Sequence, residues 1–98
     1  MAKFESKEGG LYIDGKKVLK AWESFSGWYW FAVAEEGKQD SILPNGRVIK
    51  DDTIWFGFVQ GLEEEWGTWS EGELKELMAK GMVWEIPNAN LPYSGRRH

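Results

Sequence analysis

Trp28-Tyr29-Trp30-Phe31-Ala32-Val33-Ala34 decides how this chain is read. Every residue in it is apolar or aromatic, and most favour a pleated strand over a helix. Side chains alternate across a strand, so Trp28, Trp30, Ala32 and Ala34 take one side while Tyr29, Phe31 and Val33 take the other. Neither side is polar. Thr53-Ile54-Trp55-Phe56-Gly57-Phe58-Val59 repeats the pattern, with Ile54, Phe56 and Phe58 opposed to Trp55, Gly57 and Val59. The two runs are expected to pair, and the pair then needs covering on both faces.

Outward from this core the elements are shorter. Asp14-Gly15 between Leu11-Tyr12-Ile13 and Val18-Leu19-Lys20-Ala21-Trp22 predicts a hairpin over residues 10–23. Glu35-Glu36-Gly37 is read as the end of the first long strand. Pro44-Asn45-Gly46 then turns a second, short hairpin between Ser41-Ile42-Leu43 and Arg47-Val48-Ile49. Gly61 and the acidic Glu63-Glu64-Glu65 are read as closing the second long strand.

One helix is expected, over residues 71–80. Ser70 and Glu73 have the spacing of a capping box, Trp69 and Leu74 that of a hydrophobic staple, and Gly81 suits a left-handed stop. Leu74, Leu77 and Met78 form its apolar face, with Glu71 to Lys75 and Glu76 to Lys80 as i,i+4 pairs. Met82-Val83-Trp84-Glu85-Ile86 reads as a last strand with Met82, Trp84 and Ile86 inward, ended by Pro87. Residues 88–98 read as an irregular tail. The fold class is therefore α+β: one domain over 1–98, a mainly antiparallel sheet of about five to seven strands, and one principal helix.

Composition narrows the chemistry. The 98 residues are 42% hydrophobic and 15% aromatic, enough apolar surface to offset the entropy of ordering one small core. There is no cysteine, which removes disulfides, thiolate metal sites and cysteine nucleophiles. No apolar run follows Lys3 and none approaches the length of a membrane span, so the expectation is a cytoplasmic protein without membrane contact. Net charge is −4, with nine acids against three bases between residues 21 and 66, which disfavours general affinity for nucleic acid. Its many charged residues and few amides resemble thermophile composition.

Catalytic motifs are missing: the sequence has no Gly-x-Ser-x-Gly elbow, no phosphate-cradling loop and no His-Glu-x-x-His pair. The single histidine, His98, is the last residue and is given no role. Two acidic groups, Asp51-Asp52 and Glu63-Glu64-Glu65, have the residue types of an acid and base pair or a hard-cation site, and equally those of solvated loops. No cofactor or metal is expected. Trp28, Trp30 and Trp55 are candidate stacking residues, and Gly57 marks a bulge or a close approach beside them. Lys16-Lys17-Lys20 beside Trp22, and Arg96-Arg97, are the only basic groups placed for phosphate contact.

From Trp28 to Leu74, the series Trp28-Tyr29-Trp30, Asp52-x-x-Trp55-Phe56-Gly57-x-Val59-x-Gly61, Glu65-x-Gly67-x-Trp69-Ser70 and Glu73-Leu74 resembles a family of small uncharacterised prokaryotic domains. The chain departs from that pattern at its 10–23 hairpin and in the Lys38 to Val48 segment, and the family brings no activity with it. The reading preferred here is a noncatalytic binding or interaction module with an aromatic sheet face, whose uncovered side is open to curvature, tail, ligand or a second copy in a homodimer. A small carboxylate-dependent enzyme on a sugar or nucleotide and a protein that stacks single-stranded nucleic acid are the alternatives.

Overall fold

A computed structural model describes residues 2–7 and 10–87. The two long apolar runs do pair: β5 (Tyr29–Ile42) and β6 (Val48–Gln60) form one antiparallel hairpin, with Trp30 opposite Val59 and Phe31 opposite Phe58. On either side lie β4 (Lys20–Ser24), β7 (Glu64–Ser70) and β8 (Val83–Ile86), in the order β7-β6-β5-β4-β8. A second sheet of three strands comprises β1 (Phe4–Lys7), β2 (Gly10–Ile13) and β3 (Lys16–Lys17). One helix, α1, spans Glu71–Ala79. The chain is thus α+β and mainly antiparallel sheet. No helix among the described residues is long and apolar enough to cross a membrane.

The face question has a local answer. Leu11, Ile13 and Val18 from the N-terminal strands pack against Ala21, Phe31, Phe58 and Ile86 on one side of the large sheet. On the other side α1 lays Leu74, Leu77 and Met78 over Trp22, Ala32, Trp55 and Val83. Each face of the β5 and β6 pair is covered from within the chain.

The expected 10–23 hairpin is corrected in its second arm. Asp14 and Gly15 both have positive φ, 51° and 82°, as a two-residue turn of this kind needs. The return arm, however, is only Lys16–Lys17. Val18 donates to Leu11 in the small sheet and Leu19 donates to Ala32 in the large one, so consecutive amides serve different layers. Ala21 and Trp22 therefore pair with Phe31 and Trp30.

The short second hairpin is likewise the far end of the long one. Glu35-Glu36-Gly37 does not stop β5, because a ladder is held by backbone groups and the polar side chains simply face water. The ladder slips instead, between Ala32 and Ala34, Glu35 and Gly37, and Gln39 and Ser41, with Gly37 at φ 132°. Such irregularities bend a strand and raise its twist. Glu64 and Glu65, read as the end of a strand, begin β7, an edge strand whose Trp66 and Trp69 pack on opposite faces.

The helix matches its expected start, with Ser70 Oγ accepting from the Glu73 amide. It ends one residue early at a Lys80 cap, followed by Gly81 at φ 75°. Glu71 meets Lys75 at 3.5 Å, whereas Glu76 pairs with Arg47 in place of Lys80. The inward set of β8 is also corrected: Met82 and Trp84 are 40% and 43% exposed, while Val83 and Ile86 are buried in the two different cores. A strand between two covering layers needs apolar groups of both parities. The predicted tail, residues 88–98 with Arg96, Arg97 and His98, lies outside the described residues.

Gly57 pairs with Ala32 at the first bulge, and a β-carbon on it would stand 1.9 Å from the Phe31 carbonyl oxygen. Backbone of the neighbouring strand, and no aromatic ring, is what requires glycine there. Gly57→Ala is expected to cost about 3 kcal/mol or more, because the central ladder must part. Gly67→Ala, directly across on β7 with nothing within 4 Å, should change stability little. Urea unfolding of both variants checks this; equal losses would refute the account of Gly57.

Candidate ligand groove between the helix and the long hairpin

The site begins with a carboxylate that joins two elements. Asp52, buried in β6, accepts a 2.7 Å hydrogen bond from the Gly72 amide and another from the Ser70 hydroxyl. Helix N-termini carry unpaired amides and partial positive charge, so an anion placed there satisfies both. Burial alone would raise the Asp52 pKa. The Ser70 hydroxyl, the Gly72 amide, the Lys75 charge and the Ser41 hydroxyl, which lies close without a hydrogen bond of good geometry, outweigh it and hold the carboxyl below its usual value. A side chain at position 72 would crowd this contact, since a β-carbon would meet the tip of Ile49 at 2.5 Å and the Asp52 carboxylate at 3.0 Å.

A second carboxylate locks the helix to the sheet. Glu71 accepts from Trp55 Nε1 at 2.8 Å and pairs with Lys20 at 3.3 Å, while the Lys20 ammonium lies 5.5 Å from the Trp22 ring and 5.8 Å from the Trp55 ring. Burial again works to raise the Glu71 pKa, and the Trp55 donor with the Lys20 and Lys75 charges overcomes it, so the carboxyl stays ionised to lower pH.

These clamps hold the end of the bent hairpin over the helix. Trp30 and Leu43 would stand roughly 43 Å apart on a straight strand at about 3.3 Å per residue. Here they line one groove of about 310 Å³ together with Pro44, Trp69, Leu74 and Leu77, and the rim carries Glu73, Glu76 and Lys80. A neighbouring cavity of about 490 Å³ lies between Gln39, Ser41, Ile54 and Thr68, and shares Leu43, Trp69, Ser70 and Glu73 with the first. Trp69 therefore borders both. Its ring meets Trp22 edge to face with centroids 6.1 Å apart, and its Nε1 is buried without a hydrogen-bond partner.

The predicted stacking residues divide. Trp55 is buried in the cluster with Leu74 of the helix, and Gly57 is buried against the backbone of Phe31 and Ala32. Trp28 and Trp30 are half-buried, with ring centroids 6.0 Å apart and planes inclined by 33°. Trp28 covers the backbone of Gly61, where a β-carbon would meet the indole at 2.5 Å, and Trp30 reaches the groove. In sequence, Trp69 and Leu77 carry only helix-packing signals and Leu43 only that of a hairpin arm. Their convergence depends on the bulges, and no local signal marks it.

The acids divide as well. Asp52 is engaged at the helix, and Asp51 beside it has φ 53° and an amide bonded to Asp40. Glu65 pairs across to Val59, roughly 23 Å along β6 from Asp52 at about 3.3 Å per residue. Glu63 and Glu64 lie at the same far end, so the acids that sequence could only group together form two separate sites. Among the described residues no set of three or more His, Asp or Glu converges as metal ligands.

Both clamp carboxyls have lowered folded pKa values, so their stabilising effect is complete above the ordinary carboxylate pKa and is lost as pH falls through the lower folded values. Asp52→Asn should therefore lose about 1 to 3 kcal/mol near pH 7, where a buried charge-assisted bond is broken. It should also lose less than the parent between about pH 5 and pH 2. Urea titrations across that range measure both, and an unchanged pH slope would remove Asp52 from the account. No family model, curated protein or solved structure matches this chain.

Proposed function

We propose that this protein is a noncatalytic binding module whose ligand surface is the groove between α1 and the end of the β5 and β6 hairpin. The observation that carries this reading is the half-open apolar groove itself. Its volume of about 310 Å³ falls at the lower end of small-ligand pockets, and Trp30, Leu43, Trp69 and Leu77 supply the apolar walls that such pockets use. Trp30 also meets the half-buried Trp28, outside the groove lining, with ring centroids 6.0 Å apart.

The walls are supported by elements that do not depend on a ligand. Ser70 and Gly72 are fixed by Asp52, Glu71 is fixed by Trp55, and Arg47 from the hairpin turn pairs with Glu76 on the helix. Preformed walls reduce the ordering cost of binding. The two carboxylates that line the groove, Glu73 and Glu76, both stand on α1, and Glu76 is paired with Arg47.

Indole and p-cresol are suitable probes, being flat, apolar and small enough to enter. Amide and indole N–H shifts on titration should move at Trp30, Trp69 and Leu77, with a Kd on the order of 1 mM for ligands of this size. Trp30→Ala should weaken binding about tenfold by removing one wall. Shifts confined to the exposed Phe25, Met82 and Trp84, with none in the groove, would sink the proposal.

A further inference from the structure

We infer that the groove is selective for a small amphiphilic organic cation, a free aromatic or branched alkyl amine, with its ammonium at Glu73. This rests on the groove being the binding surface and adds the chemistry of what it takes.

The acids around the groove are engaged unequally. Asp52 is held by Ser70 and Gly72, Glu71 by Trp55, Lys20 and Lys75, Glu76 by Arg47, and Asp40 by Lys50. Glu73 is different: it borders both cavities, is exposed, and has no ion-pair partner among the described residues. The wall beside it is aromatic, with Trp30 and Trp69 in the same groove. A carboxylate without an ion-pair partner among the described residues, lining one groove with indole rings, is the chemistry that recognises an organic ammonium, because aromatic rings and a carboxylate both attract positive charge while the apolar walls take the hydrocarbon.

The charge is also arranged along the groove. Lys80 lies at the other end of α1, roughly 10 Å from Glu73 at about 1.5 Å per residue. A cation is therefore drawn to the Glu73 end and repelled from the Lys80 end, which gives the ligand one orientation. The size of the groove fits one small molecule, and the net charge of −4 favours approach of a cation.

Phenethylammonium and its neutral counterpart 2-phenylethanol separate the two parts of the argument. In low salt, calorimetry or shift titration should find the ammonium bound about tenfold more tightly than the alcohol, with the preference shrinking as salt is added. Glu73→Gln should bring the two ligands to equal affinity, Glu73→Lys should reverse the preference, and Trp30→Ala should weaken both. Equal affinities in the parent, or a preference that survives both Glu73 variants, overturns the cation assignment while leaving the groove as a binding surface. A capped lysine dipeptide that bound more tightly than the free amine would overturn the assignment to a free molecule. Failure of both ligands to shift any groove residue removes the groove reading itself.

Discussion

The architecture follows from one constraint: β5 and β6 are apolar on both faces over their paired central residues, and so must be covered twice. An isolated hairpin of this kind would leave Phe31 and Phe58 exposed on one side and Trp55 on the other, at a cost of about 2 kcal/mol for each large side chain. The chain solves this with two unlike covers. A three-stranded sheet made before the hairpin closes one face, and a helix made after it closes the other. Val18 and Leu19 are the crossing point, and their amides bond to opposite layers.

With both faces covered near its base, the hairpin still extends well past the helix. The slips in its ladder redirect that excess length. Without them β5 would project into solvent as a long, two-sided edge, the kind of surface that invites pairing with other chains. Bent back, its far end meets the start of α1, where Asp52 supplies the acceptor that the helix amides need and Ile49 fills the space over Gly72. The clamp and the groove are consequences of the same bend. The carboxylate that reads in sequence as a candidate cation ligand is used to join strand to helix, and the walls of the groove are what this joining leaves between them.

The aromatic residues illustrate the same division. Trp22 and Trp55 are enclosed, and the ring contacts of Trp22 with Trp55 and with Trp69 hold the helix face together. Trp28, just before β5, and Trp30 within it stay half-buried: Trp30 borders the helix at the groove it shares with Leu74 and Leu77, and Trp28 lies over Gly61. Identity of residue type does not distinguish these two roles. Position relative to a cover does, and the cover lies about forty residues further along the chain.

Local chemistry was legible wherever neighbours in sequence decide the outcome. Alternation along Trp28 to Ala34 places each side chain on the correct face up to the first bulge. Ser70 and Glu73 mark the helix start, Asp14-Gly15 a turn of positive φ, and Pro44-Asn45-Gly46 the hairpin reversal. What these signals could not carry is pairing at a distance. Glu35-Glu36-Gly37 looks like an ending because side-chain polarity is visible in sequence and backbone pairing is not. Val83 and Ile86 look like opposite choices until both covers are known. Residue order alone establishes an α+β chain, its helix and two long strands that are apolar on both sides of their centres. Tertiary structure alone decided what lies over each face, that Asp52 belongs to the helix, and that Trp30 and Leu43 share a groove, because bulges and long-range hydrogen bonds set those distances and neither is encoded in any short stretch of residues.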